Sequence, residues 1–264
     1  MKELEIAISA AREAGAIVRS LYGKGGPVVE KGDRDDSPLT EADTRANQAI
    51  HAAIGAAFPG DGWLSEESRD SKERLSKRRV WIVDPLDGTK EFVRHIPELA
   101  VCVALVEDGA PAVGVTYNPI TEELFAAERG GGATLNGRPI RVSDRPELAG
   151  ATFLASRSED ERGEWDEFKP RFRVVLTGSV AYKLALISAA RADATFTLTP
   201  KSEWDVCSSV CIIEAAGGKV TDLEGRPVRF NNEKTRLTGL VASNGKLHEE
   251  ILERLRKRAG SGPR

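Results

Sequence analysis

The stretch VWIVDPLDGTKEFV, from Val80 to Val93, contains an apolar strand that ends in two aspartates three residues apart. Unpaired carboxylates at the end of a buried strand are costly, so Asp84 and Asp87 need positive charge between them. Pro85 stiffens the turn, and the two carboxylates with the Leu86 carbonyl are the hard oxygen ligands that Mg²⁺ prefers. The stretch therefore predicts a buried strand that leads into a metal-binding turn.

Gly88 and Thr89 follow this turn and open a predicted helix. Glycine permits a close approach of the backbone to a ligand, and the N–H groups at a helix start bind phosphate with a favourable dipole. A metal site beside such a phosphate site indicates phosphoryl chemistry. Hydrolysis of a phosphate ester is the simplest reaction of this kind.

Further acids stand beside turn or helix-start signals elsewhere in the chain. They are Asp43 in SPLTEAD, Glu66 and Glu67 in WLSEES, and Asp205 in KSEWDV. Each alone is most simply a helix cap or a solvated surface acid. Together with the two aspartates of the DPLDGT turn they become candidates for one acidic constellation, in which Glu67 is either an outer acid or simply exposed.

Composition and charge exclude several classes of protein. The 264 residues carry a net charge of -3, which gives no general attraction to nucleic acid or to an anionic membrane. No apolar run approaches the roughly 20 residues that span a bilayer, and the charged start MKELEIAISAAREAG is unlike a signal peptide, so we expect a cytoplasmic protein. The three cysteines are predicted to be buried, and His51, His95 and His248 are predicted at the surface or at caps.

Periodicity predicts helices at both ends of a strand-rich segment. Thr40 is the predicted N-cap of the helix in LTEADTRANQAIHAAIGAAF, which follows a first amphipathic helix. Residues 80–142 contain strands separated by Gly, Pro, Asn and Asp, which predicts an antiparallel meander. Beyond it, the strands ATFLAS and RVVLTG alternate with helical SVAYKLALISAARAD and EWDVCSSVCIIEAAGG, a pattern typical of α/β structure.

The change of pattern predicts two domains. We place the boundary near Ser143 to Gly150, with an N-terminal α+β domain over residues 1–145 and a C-terminal α/β domain over 146–264. The N-terminal domain carries most of the candidate metal ligands, and the C-terminal domain contributes Asp205 and substrate specificity. The aspartates in DRDDSPLTE suggest a calcium loop only faintly, because Pro38 occupies the position where such a loop needs glycine, and a mobile loop is favoured.

WIVDPLDGT, followed much later by EWDVCSSVCIIEAAGG, resembles the two signatures of the inositol-monophosphatase-like, metal-dependent, lithium-sensitive phosphatases. Matches at LSEES, GVTYNPITEELFAAERGGGATLNG and GSVAYKLALISAARAD extend the resemblance over nearly the whole chain. It implies an alternating αβαβα sandwich with an antiparallel first sheet and a mixed second sheet. This fold agrees with the strand-rich first half and the α/β second half.

The resemblance also implies two to three Mg²⁺ ions and their ligands. Glu66, Asp84 and the Leu86 carbonyl would bind the first ion. Asp84 would bridge to a second ion that is also held by Asp87 and Asp205.

A weaker third ion would touch Glu66 and waters, with Asp43 in the water network and the loop from Lys31 to Pro38 closing over it. Thr89 is the predicted catalytic residue, because a hydroxyl coupled to Glu66 or Asp43 at a helix start can orient and help deprotonate the attacking water. The alternative is that Thr89 only satisfies the first helical turn. The Gly88 and Thr89 N–H groups, with Asp87 beside them, would hold the phosphate.

The residues after DGT bear on the substrate. DGTKEFV resembles the branch that hydrolyses 3′(2′),5′-bisphosphate nucleotides such as adenosine 3′,5′-bisphosphate, whereas inositol monophosphatases usually have DGTTNF or similar. Lys90 and Glu91 therefore favour the nucleotidase. The alternatives are an inositol monophosphatase or fructose-1,6-bisphosphatase with broad sugar-phosphate specificity, and a catalytically silent protein that binds phosphorylated ligands. The presence of every predicted metal acid and of Thr89 disfavours the silent protein.

A second phosphate on the substrate needs a cationic or N–H-rich pocket. Lys183 and Lys201 could instead be solvated surface charges, and Trp204 is predicted to pack under the site. The expected partner is a small phosphate ester rather than a nucleic acid polymer or a membrane, and a homodimer is left open. The candidates for the second phosphate are Ser156, Arg157, Ser158, Gly178, Ser179, Lys183 and Lys201.

Overall fold

The computed structural model describes residues 2–24, 28–30 and 38–260. Residues 31–37, predicted to close over a third metal ion, lie outside the described residues, so that prediction stays open. Across the described ranges, no helix combines the length and the apolar character needed to cross a bilayer.

The helices and strands follow one another along the whole chain. The helices are α1 (Lys2–Leu21), α2 (Glu41–Ala57), α3 (Thr89–Val93), α4 (Arg157–Glu161), α5 (Val180–Ser188), α6 (Glu203–Ala215) and α7 (His248–Gly260), with a 3-10 helix at Glu73–Ser76. The strands are β1 (Val28–Glu30), β2 (Pro38–Thr40), β3 (Gly62–Ser65), β4 (Arg79–Asp87), β5 (Ala100–Glu107), β6 (Ala110–Asn118), β7 (Glu123–Glu128), β8 (Gly132–Leu135), β9 (Arg138–Ile140), β10 (Thr152–Ala155), β11 (Arg173–Leu176), β12 (Ala194–Thr197), β13 (Lys201–Ser202), β14 (Lys219–Thr221), β15 (Arg236–Leu237) and β16 (Leu240–Ser243).

The first sheet has seven strands in the order β3-β4-β5-β6-β7-β8-β9. From β4 to β9 the strands pair antiparallel, as the meander predicts. β3 lies outside the predicted meander of residues 80–142, and it adds a parallel edge strand by pairing with β4. The connection over residues 66–78 contains the 3-10 helix, and a crossover of this length is what a parallel pair requires.

The second sheet has five strands in the order β11-β10-β12-β16-β14. β10 is parallel to both β11 and β12, whereas β16 is antiparallel to β12 and β14. The predicted mixed second sheet is therefore confirmed. A separate two-stranded ribbon joins β13 to β15 beside the start of α6.

The helices and sheets form five layers, which confirms the predicted αβαβα sandwich. Alternate residues of β4 face opposite sides of the first sheet: Trp81 and Val83 pack with α1 and α2, and Val80 and Ile82 pack with α5 and α6. The far face of the second sheet packs against α7 through an apolar cluster that includes Phe153. Site residues from both halves of the chain can therefore meet where α5 and α6 pack against the first sheet.

A glycine lets α6 lie directly on the first sheet. A Cβ atom on Gly114 would stand 2.2 Å from the Ser208 carbonyl oxygen, so no larger residue fits there. The buried Thr116 hydroxyl bonds to the hydroxyls of Ser208 and Ser209 at 2.9 and 2.8 Å. These contacts fix α6, whose first turn carries Asp205, against the sheet that carries the other predicted metal acids.

The histidine prediction is wrong at one position. His51 and His95 are exposed, but His248 is fully buried and bonds to the hydroxyls of Thr221 and Ser243 at 2.8 and 3.0 Å. Burial lowers the pKa of His248 to about 4, because the charged ring is desolvated. The imidazole is a neutral buried hydrogen-bonding group, and its partner Thr221 lies 27 residues away on β14, a contact that no local pattern indicates.

Two further predictions concern the cysteines and the division into domains. Cys102, Cys207 and Cys211 are buried and unpaired, as predicted. Each large sheet is built from one side of the predicted boundary at 143–150, but whether the halves are separate domains stays a prediction.

Candidate active site

The DPLDGT turn begins at an irregularity in the first sheet. The register of β4 against β5 shifts between Asp84, opposite Cys102, and Asp87, opposite Ala100. Such a bulge re-aims the side chains that follow it. Asp84 is buried, and its Oδ1 accepts a hydrogen bond from the Leu86 N–H at 2.9 Å, which closes the turn.

Gly88 is required at the next position. Its φ is 98°, in the left-handed region, and an added Cβ would stand 2.9 Å from the Glu98 carbonyl oxygen. Thr89 then begins α3 as predicted, although this helix has only five residues and its dipole is correspondingly small. The buried Thr89 hydroxyl lies 3.2 Å from Asp43 Oδ1 and 3.1 Å from the Leu86 carbonyl oxygen.

Asp43 is held behind Thr89 by a capping box at the start of α2. Its Oδ2 accepts hydrogen bonds from the Thr40 N–H at 2.8 Å and the Thr40 hydroxyl at 2.5 Å. Thr40 is thus the N-cap, as predicted. The predicted coupling of Thr89 to an acid is present and runs to Asp43.

Asp87 is anchored by the second half of the chain. Its Oδ2 accepts the Ser179 hydroxyl at 2.5 Å and the Ala181 N–H at 2.7 Å. Ser179 also caps α5 by accepting the Tyr182 N–H, and its φ of 55° is unusual for a residue with a side chain. The Ser179 hydroxyl therefore positions Asp87, and its predicted contact with phosphate stays a prediction.

Asp205 is placed by the first turn of α6. It occupies the third helical position, and its Oδ2 accepts the Ser202 N–H at 2.9 Å. Desolvation raises the pKa of Asp205, and the negative charges of Asp87 and Glu66 raise it further. Desolvation likewise raises the pKa of Asp84 well above its usual range, with added repulsion from Glu66, Asp87 and Asp205.

We call Glu66, Asp84, Asp87 and Asp205 the acidic floor. They share a cavity of about 570 Å³ with the Leu86 carbonyl. An all-oxygen set of mutually repelling carboxylates fits a hard divalent cation such as Mg²⁺. In the described part of the chain no three Asp, Glu, His or Cys side chains already stand at ligand spacing around one point, so the fit lies in donor chemistry and charge.

A buried ion pair lies beside the same cavity. Lys183 is 2% exposed, and its Nζ lies 3.5 Å from Glu159 Oε2. The alternative of a solvated Lys183 is therefore wrong, because α5 is covered by both sheets. Lys201 on β13 is half-buried, and Trp204 lines the cavity while packing against the core, as predicted.

The Arg157 guanidinium is already paired with a carboxylate of the protein. Its guanidinium donates to Glu98 Oε2 at 2.6 Å, and the same oxygen accepts the Gly178 N–H at 2.7 Å. Glu91 lies 3.7 Å from the guanidinium and packs against Gly178, where a Cβ would stand 2.3 Å from the Glu91 side chain. These contacts bind the loop after α3 to α4 and to the start of α5.

Sequence reasoning missed Glu98 and Glu159. Glu159 could have been found, since Ser156 and Glu159 form a capping box three residues apart at α4. Glu98 has no comparable local signal. Apart from Asp43, every predicted site residue lines the cavity: Glu66, Asp84, Leu86, Asp87, Gly88, Thr89, Ser156, Gly178, Ser179, Lys183, Lys201 and Asp205.

Over nearly all of its length the chain is similar to a family model, to named relatives and to solved structures. The family model described as the inositol monophosphatase family matches residues 2–259. An inositol-1-monophosphatase from Mesorhizobium japonicum is 34% identical over 96% of this chain and 96% of its own. A histidinol-phosphatase from Chlorobaculum parvum is 32% identical over 95% of each chain. The crystal structure of CysQ from Bacteroides thetaiotaomicron, a bacterial member of the inositol monophosphatase family, is 30% identical with a TM-score of 0.77, over 92% of this chain and 97% of that one.

Proposed function

Because the chain belongs to the inositol monophosphatase family of metal-dependent phosphomonoester hydrolases, we propose that it hydrolyses small phosphate esters that carry a second phosphate. Adenosine 3′,5′-bisphosphate, converted to AMP and phosphate, is the first candidate. One observation carries the proposal: a single cavity joins the acidic floor to a side that holds buried and half-buried lysines. A substrate with two phosphates meets both.

The acidic floor and the Leu86 carbonyl would hold Mg²⁺, in a number of two to three ions that we propose from the family pattern. Bound Mg²⁺ supplies neutralisation of charge on phosphate oxygens and activation of water. The chain's own part is to keep the ligands oriented. Asp87 is fixed by Ser179 and Ala181, and Asp205 by Ser202.

We assign the proton transfer to Thr89 and Asp43. The Thr89 hydroxyl donates toward Asp43 at 3.2 Å, so it can accept a proton from the attacking water as it passes its own to the carboxylate. Asp43 cannot swing away, because both the N–H and the hydroxyl of Thr40 hold it. Backbone N–H groups at Gly88 and Thr89 would orient the phosphate.

Three other substrates have specific support. The Mesorhizobium japonicum relative is named an inositol-1-monophosphatase, which favours inositol 1-phosphate, and fructose 1,6-bisphosphate also carries two phosphates. The Chlorobaculum parvum relative is named a histidinol-phosphatase, so histidinol phosphate belongs in any test. Against these stand Lys90 and Glu91 after the DGT motif, both of which line the cavity.

A substrate panel with the purified protein tests the proposal. Phosphate release from adenosine 3′,5′-bisphosphate, inositol 1-phosphate, fructose 1,6-bisphosphate and histidinol phosphate is measured at one Mg²⁺ concentration. We expect the highest kcat/KM for adenosine 3′,5′-bisphosphate and inhibition by millimolar Li⁺. A clear preference for inositol 1-phosphate or histidinol phosphate would refute the substrate assignment, and no release from any ester would indicate the silent binding protein.

A further inference from the structure

Two ammonium groups act on one buried carboxylate beside the cavity. Lys183 and Lys201 line the cavity and Glu159 is buried next to Lys183, and we call these three residues the lysine wall. Burial acts to raise the pKa of Glu159, but the Lys183 charge, the Ser156 N–H and the Lys201 charge together lower it to about 2. Glu159 is therefore ionised and carries one negative charge against two positive charges.

Lys183 is under-satisfied for a buried ammonium. Its ammonium has three donor positions, yet among the described residues its one hydrogen bond is the 3.5 Å contact to Glu159, at the limit of a hydrogen bond. Burial lowers its pKa, as does repulsion by Lys201, while Glu159 opposes the shift. Glu159 Oε1 is buried and has no hydrogen-bond partner among the described residues. A buried polar group in this state indicates a missing ligand or an ordered water.

Lys201 differs in burial or pairing from most of the cations that line the cavity, since Lys90, Arg94 and Arg236 are exposed and two arginines are paired. Arg157 is paired with Glu98, and Arg162 is paired with Glu164 and bonded to Thr199. The Lys201 side chain forms neither a hydrogen bond nor an ion pair with the described residues, although it is half-buried.

We propose that Lys183 and Lys201 together bind the second phosphate of the substrate, with Glu159 as the positioning residue that holds the Lys183 ammonium. This proposal rests on the proposed function, because it takes the scissile phosphate to lie at the acidic floor. A dianionic group between the two lysines fills the vacant donor positions of Lys183 and supplies the charge that the wall lacks. A paired arginine such as Arg162 adds nothing comparable.

Lys201→Gln tests the wall with the least risk to folding. Adenosine 3′,5′-bisphosphate is compared with adenosine 3′-monophosphate, which lacks the second phosphate. We expect kcat/KM for the bisphosphate to fall about tenfold or more, mainly through KM, and that for the monophosphate to change less than about twofold. Arg162→Gln is the control, and both substrates should change less than about twofold in it. Equal losses for the two substrates in Lys201→Gln would overturn the proposal.

The buried lysine requires a charge-neutral test. Lys183→Met is combined with Glu159→Gln so that no carboxylate is left buried alone. The double variant should lose the same preference for the bisphosphate, provided that its thermal unfolding stays cooperative. If Lys201→Gln alone keeps the full preference, the wall is not the subsite, whatever the double variant does.

A binding measurement separates this proposal from the proposed function. Calorimetric dissociation constants for the two nucleotides are measured with Ca²⁺, which takes the same oxygen ligands with looser geometry. Wild type should bind the bisphosphate about tenfold tighter than the monophosphate, and Lys201→Gln should bind both alike. This result supports the wall even if the substrate panel favours another ester. Equal affinities in wild type would refute the wall even if the panel favours the bisphosphate.

Discussion

The acidic floor and the lysine wall meet at one cavity and carry opposite excess charge. On the floor, desolvation and the mutual repulsion of the carboxylates raise the pKa of Asp84 and Asp205. On the wall, two lysines lower the pKa of Glu159 to about 2 despite its burial, because cations outnumber carboxylates. The two groups therefore attract different parts of a complex of Mg²⁺ with a phosphorylated substrate: the floor attracts cations and the wall attracts an anion.

The largest effect should come from the floor. Asp84→Asn removes the carboxylate at the centre of the acidic set, and turnover should fall about a thousandfold or more. The measurement is steady-state phosphate release with saturating Mg²⁺. Asp108→Asn is the matched control, since the Asp108 side chain is exposed and forms an ion pair with Arg78. Turnover of Asp84→Asn near the wild-type value would remove the metal-binding role of the floor.

On the wall, the Glu159→Gln substitution should lower the free energy of unfolding. It leaves Lys183 buried without its counter-charge, which costs about 3 kcal/mol of unfolding free energy. Urea unfolding at neutral pH measures this loss. Glu161→Gln on the same helix is exposed and should stay within about 0.5 kcal/mol of wild type. A Glu159→Gln protein as stable as wild type would show that the pair is not a stabilising one.

Between floor and wall, Thr89 tests the proton transfer. Thr89→Ala should lower kcat about a hundredfold, because the hydroxyl between the water and Asp43 is lost. Thr89→Ser keeps the hydroxyl and should recover most of the rate. If both variants are less stable while Thr89→Ala turns over normally, Thr89 only satisfies the first turn of α3.

The smallest effect, and the one that separates the two sides most finely, is the pH dependence of the metal-free protein. Floor carboxyls with raised pKa bind more protons when folded, so their contribution to stability falls as pH rises above about 4. Glu159, with its lowered pKa, contributes stability that is complete above about pH 4.5 and is lost as pH falls toward 2. Thermal melts in chelator should show Asp84→Asn about 2 to 4 °C above wild type at pH 7. A melting temperature below that of wild type would contradict the repulsion on the floor.

How much of this could be predicted from sequence differs between the two sides. The turn from Asp84 to Thr89 could be predicted because its ligands, its glycine and its hydroxyl are consecutive residues of one motif. Asp205 could be predicted from its helix-start context. The αβαβα layers could be predicted from the family resemblance, with which the periodicity of the two halves agrees. The parallel edge strand β3 could not, because pairing direction depends on the path of the connection.

The lysine wall could not be predicted in the same way. Lys183 lies in an apolar helix, where its position in the sequence does not distinguish a solvated charge from a buried one. Its burial follows from the packing of α5 between two sheets, and its partner Glu159 is brought to it by a separate short helix. Glu98 is a similar case, since its contacts with Arg157 and Gly178 join segments far apart in the chain.

The most direct test of the account is an anomalous-scattering map from crystals soaked in Mn²⁺, which accepts the oxygen ligands of Mg²⁺. We predict strong peaks within about 2.5 Å of carboxylate oxygens of Asp84, Asp87 and Asp205, with Glu66 and the Leu86 carbonyl completing the first ion's ligands. A map with no peak at the acidic floor, in crystals where Mn²⁺ binds elsewhere, would contradict the central claim.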